Sequence, residues 1–155
     1  MTPLNLPPAN LKIMEIDGLT KVFDPYRKKY VKLTPEEYVR QNFLAYLTNH
    51  LRYPYGLTAV EHEVVINNLR QRADIVVYDT SGHPLLIVEC KAPDVEITQN
   101  DFDQALRYNT RLGVRLLVLT NGLRHYCALI NQSDNGTNVT FLKEIPPYEP
   151  PSVKK

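Results

Sequence analysis

Asp74, Glu89 and Lys91 are the residues whose types and spacing could do chemistry. Asp74 lies in Arg72-Ala73-Asp74-Ile75-Val76-Val77-Tyr78, and Glu89 and Lys91 lie in Leu85-Leu86-Ile87-Val88-Glu89-Cys90-Lys91. Both runs read as strands rich in branched apolar residues. Between them, Asp79-Thr80-Ser81-Gly82-His83-Pro84 reads as a tight turn, because Gly82 can take positive φ and Asp and Ser suit turn positions. With the turn centred between Ser81 and Gly82, Asp74 lies seven residues before Ser81 and Glu89 seven after Gly82. That register opposes the two acids on one face at roughly 5 Å between Cβ atoms. Lys91, two residues past Glu89, shares the face. Two carboxylates so placed repel each other unless a cation lies between them. A hard divalent ion with oxygen ligands, most simply Mg²⁺, is the natural occupant. Lys91 could then orient a water or stabilise charge on a phosphate.

A second reading of the same residues is structural. Acids and lysines alternate on the solvated face of many hairpins, where they form weak surface pairs. The neighbours weigh against it here. Ile75, Val77, Leu86 and Val88 fill one face, and Val76 and Ile87 sit beside the charges. Strands apolar on both faces belong to a covered central sheet. A charge inside such a sheet is costly without a partner and so points to a site.

Other elements must position this hairpin. Residues 1–10, with Pro3, Pro7 and Pro8, read as an extended arm, and 11–16 and 29–33 as short strands around an Asp24-Pro25 turn. Thr34-Pro35-Glu36-Glu37 is a helix start with a cap, a proline suited to the first helical position and a capping-box acid. The helix is predicted to reach about residue 50, with Val39, Phe43, Leu47 and Leu51 on one face. A strand over 58–66 and a turn at Asn67-Asn68 precede the hairpin. Thr98 caps a predicted helix over 99–112, with Phe102, Ala105, Leu106 and Asn109 inward. The run 114–120 is almost wholly apolar, as expected of a buried strand parallel to a neighbour. Strands are also expected over 124–130 and 138–142, with a loose Pro-rich tail over 146–155. The order predicts an α/β sandwich, a central mixed sheet flanked by helices, as one domain over 1–145.

Composition narrows the class. The chain has 155 residues, and its 43% hydrophobic content and mean hydropathy of -0.31 are ordinary for a soluble globular protein, for which a cytoplasmic setting is expected. No apolar run is long enough to cross a bilayer, and no signal-peptide core is expected at the start. Cys90 and Cys127 read as reduced thiols, and with four scattered histidines they form no zinc spacing. A phosphate loop ending in Gly-Lys-Ser or Gly-Lys-Thr is absent, so ATP hydrolysis of that type is not expected. Net charge is +1, yet Lys21, Arg27, Lys28, Lys29 and Lys32 interleave with Phe23, Tyr26 and Tyr30. Arg70, Arg72, Arg107, Arg111, Arg115 and Arg124 lie around the site. Such residues could line a phosphate track or be ordinary surface charges.

Arg72-Ala73-Asp74 followed by Ile87-Val88-Glu89-Cys90-Lys91 resembles the PD-(D/E)xK nuclease superfamily. More closely, the chain resembles the N-terminal nuclease domain of type I restriction enzyme R subunits. Leu33-Thr34-Pro35-Glu36-Glu37-Tyr38-Val39-Arg40-Gln41, Gln104-Ala105-Leu106-Arg107-Tyr108 and Leu117-Val118-Leu119-Thr120-Asn121-Gly122 extend the resemblance over about 20–130. It implies a restriction-endonuclease-like fold. It also implies metal ligation by Asp74, Glu89 and the Cys90 carbonyl, a catalytic role for Lys91, and products with a 5′ phosphate. Glu37 resembles the acid that reaches the site from the first helix, with its capping role as the alternative, and Glu36 is a further alternative. Arg40 reads as a neighbour of Glu37 or a phosphate contact, and Arg72 as a DNA contact. Gln104 and Tyr108, four apart on one helical face, resemble a Gln-xxx-Tyr motif that orients the site or touches DNA. Glu61 and Glu63 read as an exposed strand face or as support for the site. Ala73 stands where the superfamily has proline, which leaves the acid in place.

The resemblance implies a Mg²⁺-dependent DNA endonuclease, with Mn²⁺ able to substitute. R subunits carry ATP-driven motor domains after this module. The expectation here is a free-standing nuclease, a subunit served by a separate motor or specificity subunit, or a piece of a longer chain. The alternatives are a non-cleaving DNA- or partner-binding module of the same fold and hydrolysis of another phosphate ester.

Overall fold

The computed structural model describes residues 1–151 of the chain. An extended segment leads into three antiparallel strands, β1 (Ile13–Ile16), β2 (Leu19–Asp24) and β3 (Lys29–Lys32), which form a separate sheet in that order. The sequence pattern leaves β2 unassigned, because its apolar residues, Leu19, Val22 and Phe23, do not alternate and a turn proline lies next to it. Pairing on both edges makes it a strand.

The first helix, α1 (Pro35–Asn49), starts as predicted: the Thr34 hydroxyl accepts the Glu37 N–H at 3.0 Å, and Pro35 takes the first turn. A short 3-10 turn then leads into β4 (Thr58–Ile66), β5 (Leu69–Tyr78) and β6 (Pro84–Cys90). The second helix, α2 (Gln99–Leu112), has a reciprocal capping box at Thr98 and Asp101 and ends at Gly113, whose φ of 76° is left-handed. Strands β7 (Leu116–Thr120), β8 (His125–Ser133) and β9 (Gly136–Leu142) complete a six-stranded sheet ordered β4-β5-β6-β7-β8-β9. Within it β6 and β7 are parallel and all other neighbours antiparallel. A parallel pair needs a long crossover, and α2 supplies it.

The expected mixed sheet between two helices is therefore present. Val39, Phe43, Leu44 and Leu47 of α1 pack on Ile75, Val77, Leu86, Val88 and Val118. Phe102, Ala105 and Leu112 of α2 pack on Val76, Ile87, Leu117 and Leu119 on the other face. Every residue of β7 is buried, which explains its unbroken apolar run.

Residues 1–10 form neither helix nor strand, but they are held: Asn5 N–H donates to the Gly122 carbonyl at 2.8 Å, and Leu4 packs on the α1-side core. At the far end, Tyr53 Oη donates to the Pro146 carbonyl at 2.7 Å and Tyr148 N–H to the Leu51 carbonyl at 2.8 Å. The remainder of the expected tail, 152–155, lies outside the described residues. Among the described residues no helix is long and apolar enough to cross a membrane.

Candidate active site

Counting from the turn predicts the hairpin register that is observed. Ile75 pairs with Val88, Val76 with Ile87 and Val77 with Leu86. One further step would put Asp74 opposite Glu89, and the regular pairing stops there. The ladder to β4 breaks at the same place: Val60 pairs with Ile75 and His62 with Ala73, while Glu61 and Asp74 between them do not pair. Glu61 has φ of 50°, a left-handed conformation that is uncommon for glutamate and strained in a strand.

The consequence is a reversal of the pleat. Val60, Ile75 and Val77 face α1, whereas Val64 and Ala73 face α2, although simple alternation would keep them together. Asp74 sits at the reversal. Its carboxylate accepts from Arg40 Nη2 of α1 at 2.9 Å and from the Cys90 N–H of β6 at 2.7 Å. Glu89 instead accepts from Gln71 Nε2 at 3.0 Å and lines a cavity against α2. The two acids are thus engaged from opposite sides of the sheet, not from the single face that unbroken alternation predicts. They remain close enough that Asp74's charge acts on Glu89, whose carboxyl is raised by burial and then by Asp74, with Lys91 and Gln71 opposing.

Arg40 organises the α1 side. Its Nη2 donates to Glu36 at 2.9 Å, Glu61 at 2.7 Å and Asp74 at 2.9 Å, and its Nη1 to Glu37 at 2.7 Å. Only 6% of the side chain is exposed, and its Nε is buried without a partner. Arg27 from the β2–β3 turn also reaches Glu37 at 2.7 Å and pairs with the fully buried Asp24, while Arg72 pairs with Glu61 at 3.0 Å. Glu37 also accepts from Gln41 at 3.1 Å. Its side chain therefore enters this network, while its backbone N–H serves the cap.

Five carboxylates meet three guanidiniums in this network, an excess of two negative charges. The acids respond. Burial raises Asp74, despite the Cys90 N–H and Arg40. Burial, then Asp74, raises Glu36. Glu61 also feels burial, but Arg40 and Arg72 outweigh it and bring its carboxyl below the usual value. For Arg40 the loss of water works against the charge, and Asp74, Glu37 and Glu61 more than reverse it, so its pKa is raised.

The α2 side holds the rest. Glu89, Lys91, Gln104 and Tyr108 line one cavity of about 490 Å³, together with Gln71, Asp101, Arg107 and Arg111. The Lys91 N–H donates to the Thr120 carbonyl of β7 at 2.8 Å, which anchors its backbone where β6 ends. Gln104 and Tyr108 are exposed on α2 over this cavity. Cys90 turns its thiol into the α1-side core, where burial pushes its pKa well up. Arg72 is not part of this cavity: it is exposed beside Glu61, with the α1-side network. Glu63 pairs with Arg70 on the surface at 2.7 Å, away from this network.

The donor set suits a hard cation. Glu36, Glu61 and Asp74 each offer an oxygen within 4.8 Å of the others. Arg40 Nη2 lies among these three oxygens, so the network already draws positive charge to that point. On the other side Gln71 Oε1 is buried without a donor next to Glu89. The strand pattern missed Gln71, because its contact with Glu89 depends on how β5 and β6 sit beyond the end of their ladder. It also missed Asp24 and Arg27, whose three-residue spacing in a turn was the only available signal.

A family described as type I restriction enzyme R protein N terminus matches residues 35–146. The match spans α1, the whole six-stranded sheet and α2, and leaves β1, β2 and β3 outside. A comparison with curated proteins gives no match.

Proposed function

Because the chain belongs to the type I restriction enzyme R protein N-terminal family, we propose that it is a metal-dependent endonuclease module hydrolysing DNA phosphodiester bonds. One observation carries the reading: Asp74, Glu89 and Lys91 lie where β5 and β6 stop pairing, between a carboxylate-rich helix and a cavity open to solvent. In this reading Asp74, Glu89 and the Cys90 carbonyl hold the divalent ion, with Glu36 and Glu61 as further oxygen donors beside Asp74. When bound, the ion supplies Lewis-acid stabilisation of charge on the phosphate, Mg²⁺ being the natural ion and Mn²⁺ a substitute.

The chain's own residues do the rest. Lys91 keeps an ammonium beside Glu89, where it orients the attacking water and supports the charged phosphate oxygens. Glu37 holds Arg40 and Arg27 in place, and Arg40 keeps the Asp74 carboxylate aimed between α1 and β6. Gln104 and Tyr108 contact the DNA strand across the cavity, and Arg72, exposed beside Glu61, meets a phosphate. DNA is the partner, with a separate motor or specificity subunit as a second one, and a cytoplasmic setting belongs to the same reading.

Plasmid cleavage in Mg²⁺ or Mn²⁺ tests it. Asp74→Ala, Glu89→Ala and Lys91→Ala are each expected to lose at least about a hundredfold in rate. Matched rates for wild type and variants would remove these roles. One observation favours a second reading, a non-cleaving module: Arg40 Nη2 already bonds the three carboxylates nearest a cation position. That reading expects salt-dependent DNA binding and no cleavage with either ion.

A further inference from the structure

We propose that the outer face of the β1–β2–β3 sheet is a docking surface for the phosphate backbone of DNA, with Lys12, Lys21 and Lys32 as its contacts. Register and burial define this face. Val22 and Asp24 of β2 are fully buried and turn inward, so Lys21 and Phe23 turn outward. Lys32 lies directly opposite Lys21, and Tyr30 opposite Phe23. Lys12 joins the same row, since the Phe23 N–H donates to its carbonyl at 2.9 Å. Its ammonium lies 5.5 Å from the Phe23 ring centre and 5.9 Å from that of Tyr30, while the two rings meet edge to face at 5.3 Å. The rings hold Lys12 in place by cation–π attraction.

Three features point to a polyanion. Like charges directly opposed across a strand pair disfavour the sheet, and Lys21 and Lys32 are so opposed. Among the described residues none of the three lysines is in an ion pair. The outward positions of β1, Met14 and Ile16, are apolar, so this face holds no acid to neutralise the lysines. The sheet is also tied to the site, because Arg27 in its second turn bonds Glu37 of α1. A backbone held on the lysines would be carried by a rigid connection towards Asp74 and Glu89. The basic run in the sequence is thereby divided: Arg27 turns inward to the carboxylates, while Lys21 and Lys32 stay on the outer face, where Lys12 joins them.

The inference rests on the nuclease reading, and binding measured apart from cleavage separates the two. A fluorescein-labelled DNA duplex is titrated in EDTA, by anisotropy, over a series of salt concentrations. The triple variant Lys12→Gln, Lys21→Gln, Lys32→Gln is expected to bind at least tenfold more weakly than wild type. The slope of log affinity against log salt should fall by roughly 2 to 3, about 0.9 for each phosphate that the protein no longer neutralises. A control pair of exposed residues elsewhere, Arg52→Gln with Lys143→Glu, lowers the charge by the same three units and should lose far less. Matched far-UV spectra and melting temperatures establish that the variants fold. Equal losses in the lysine triple and the control pair, an unchanged slope, wild type that binds no DNA, or equally tight binding of poly-glutamate would each overturn the proposal. Cleavage in Mg²⁺ is scored separately: a protein that cuts without using these lysines sinks this inference alone. One that binds through them and never cuts sinks the nuclease reading alone.

Discussion

Arg40 is hydrogen-bonded to Glu36, Glu37, Glu61 and Asp74, and it is almost fully buried. Removing one partner from such a network leaves charges without compensation, a loss of about 3–5 kcal/mol. Arg40→Ala should therefore lower the urea midpoint strongly at neutral pH. The deficit should narrow in acid, where the freed carboxylates can be protonated, and a deficit independent of pH would count against this account. Gln71 acts on a smaller scale. Its amide donates to Glu89 at 3.0 Å, and its Oε1 has no donor of its own. Partners that orient a metal-ligating carboxylate are worth about 10–100-fold in metal affinity. Gln71→Leu should weaken Mn²⁺ binding by that order in calorimetry while leaving the fold intact, and Gln71→Asn should recover part of the loss.

At the scale of elements, the N-terminal segment is fastened to the β7–β8 turn through His125. The neutral ring accepts from the Thr120 hydroxyl at Nδ1, 2.7 Å, and donates from Nε2 to the Asn5 carbonyl, 2.8 Å. Burial lowers its pKa, with the Asn5 contact opposing. The sign follows from linkage: the unfolded chain takes up a proton near the ordinary value of about 6.5 before the folded chain does, so stability falls as pH drops through that range. Wild type should lose stability between about pH 6.5 and the lowered folded value. His125→Asn should flatten that part of the curve, as followed by thermal unfolding across pH. Gly122 in this turn has φ of 86°, and a Cβ there would lie 2.7 Å from Leu4 Cδ2, so the turn and the segment over it fit only with glycine.

Over the whole molecule, a net charge of +1 conceals segregation. Excess negative charge gathers where α1 meets β4 and β5, and lysines gather on the outer face of the small sheet. The acidic side bears on stability. Asp74 and Glu89 are raised in the folded state, so folding favours their protonated forms. Their contribution is most favourable below the unfolded values and declines as pH rises through the raised ones. A divalent cation reverses that cost by binding the folded, ionised site. Mn²⁺ should therefore raise the melting temperature more at about pH 7.5 than at about pH 5. Equal shifts at the two pH values, or the same shift in Asp74→Ala as in wild type, would place the ion elsewhere.

Helices and most strands are written in local signals: the Thr34 and Thr98 caps, the apolar face of Val39, Phe43 and Leu47, and the unbroken run of β7. The hairpin register was legible too, because a tight turn and a period of two determine which residues oppose each other. The same period predicted one shared face for Asp74 and Glu89, and there local reasoning failed. The left-handed Glu61 on the neighbouring strand reverses the pleat, and that conformation depends on pairing and packing across the sheet. Only the tertiary structure brings Arg40, Glu61 and Gln71 onto the acids, since these contacts join residues 18 to 34 positions apart on different elements. Sequence periodicity describes how side chains alternate within an element. It carries no information on which element interrupts another.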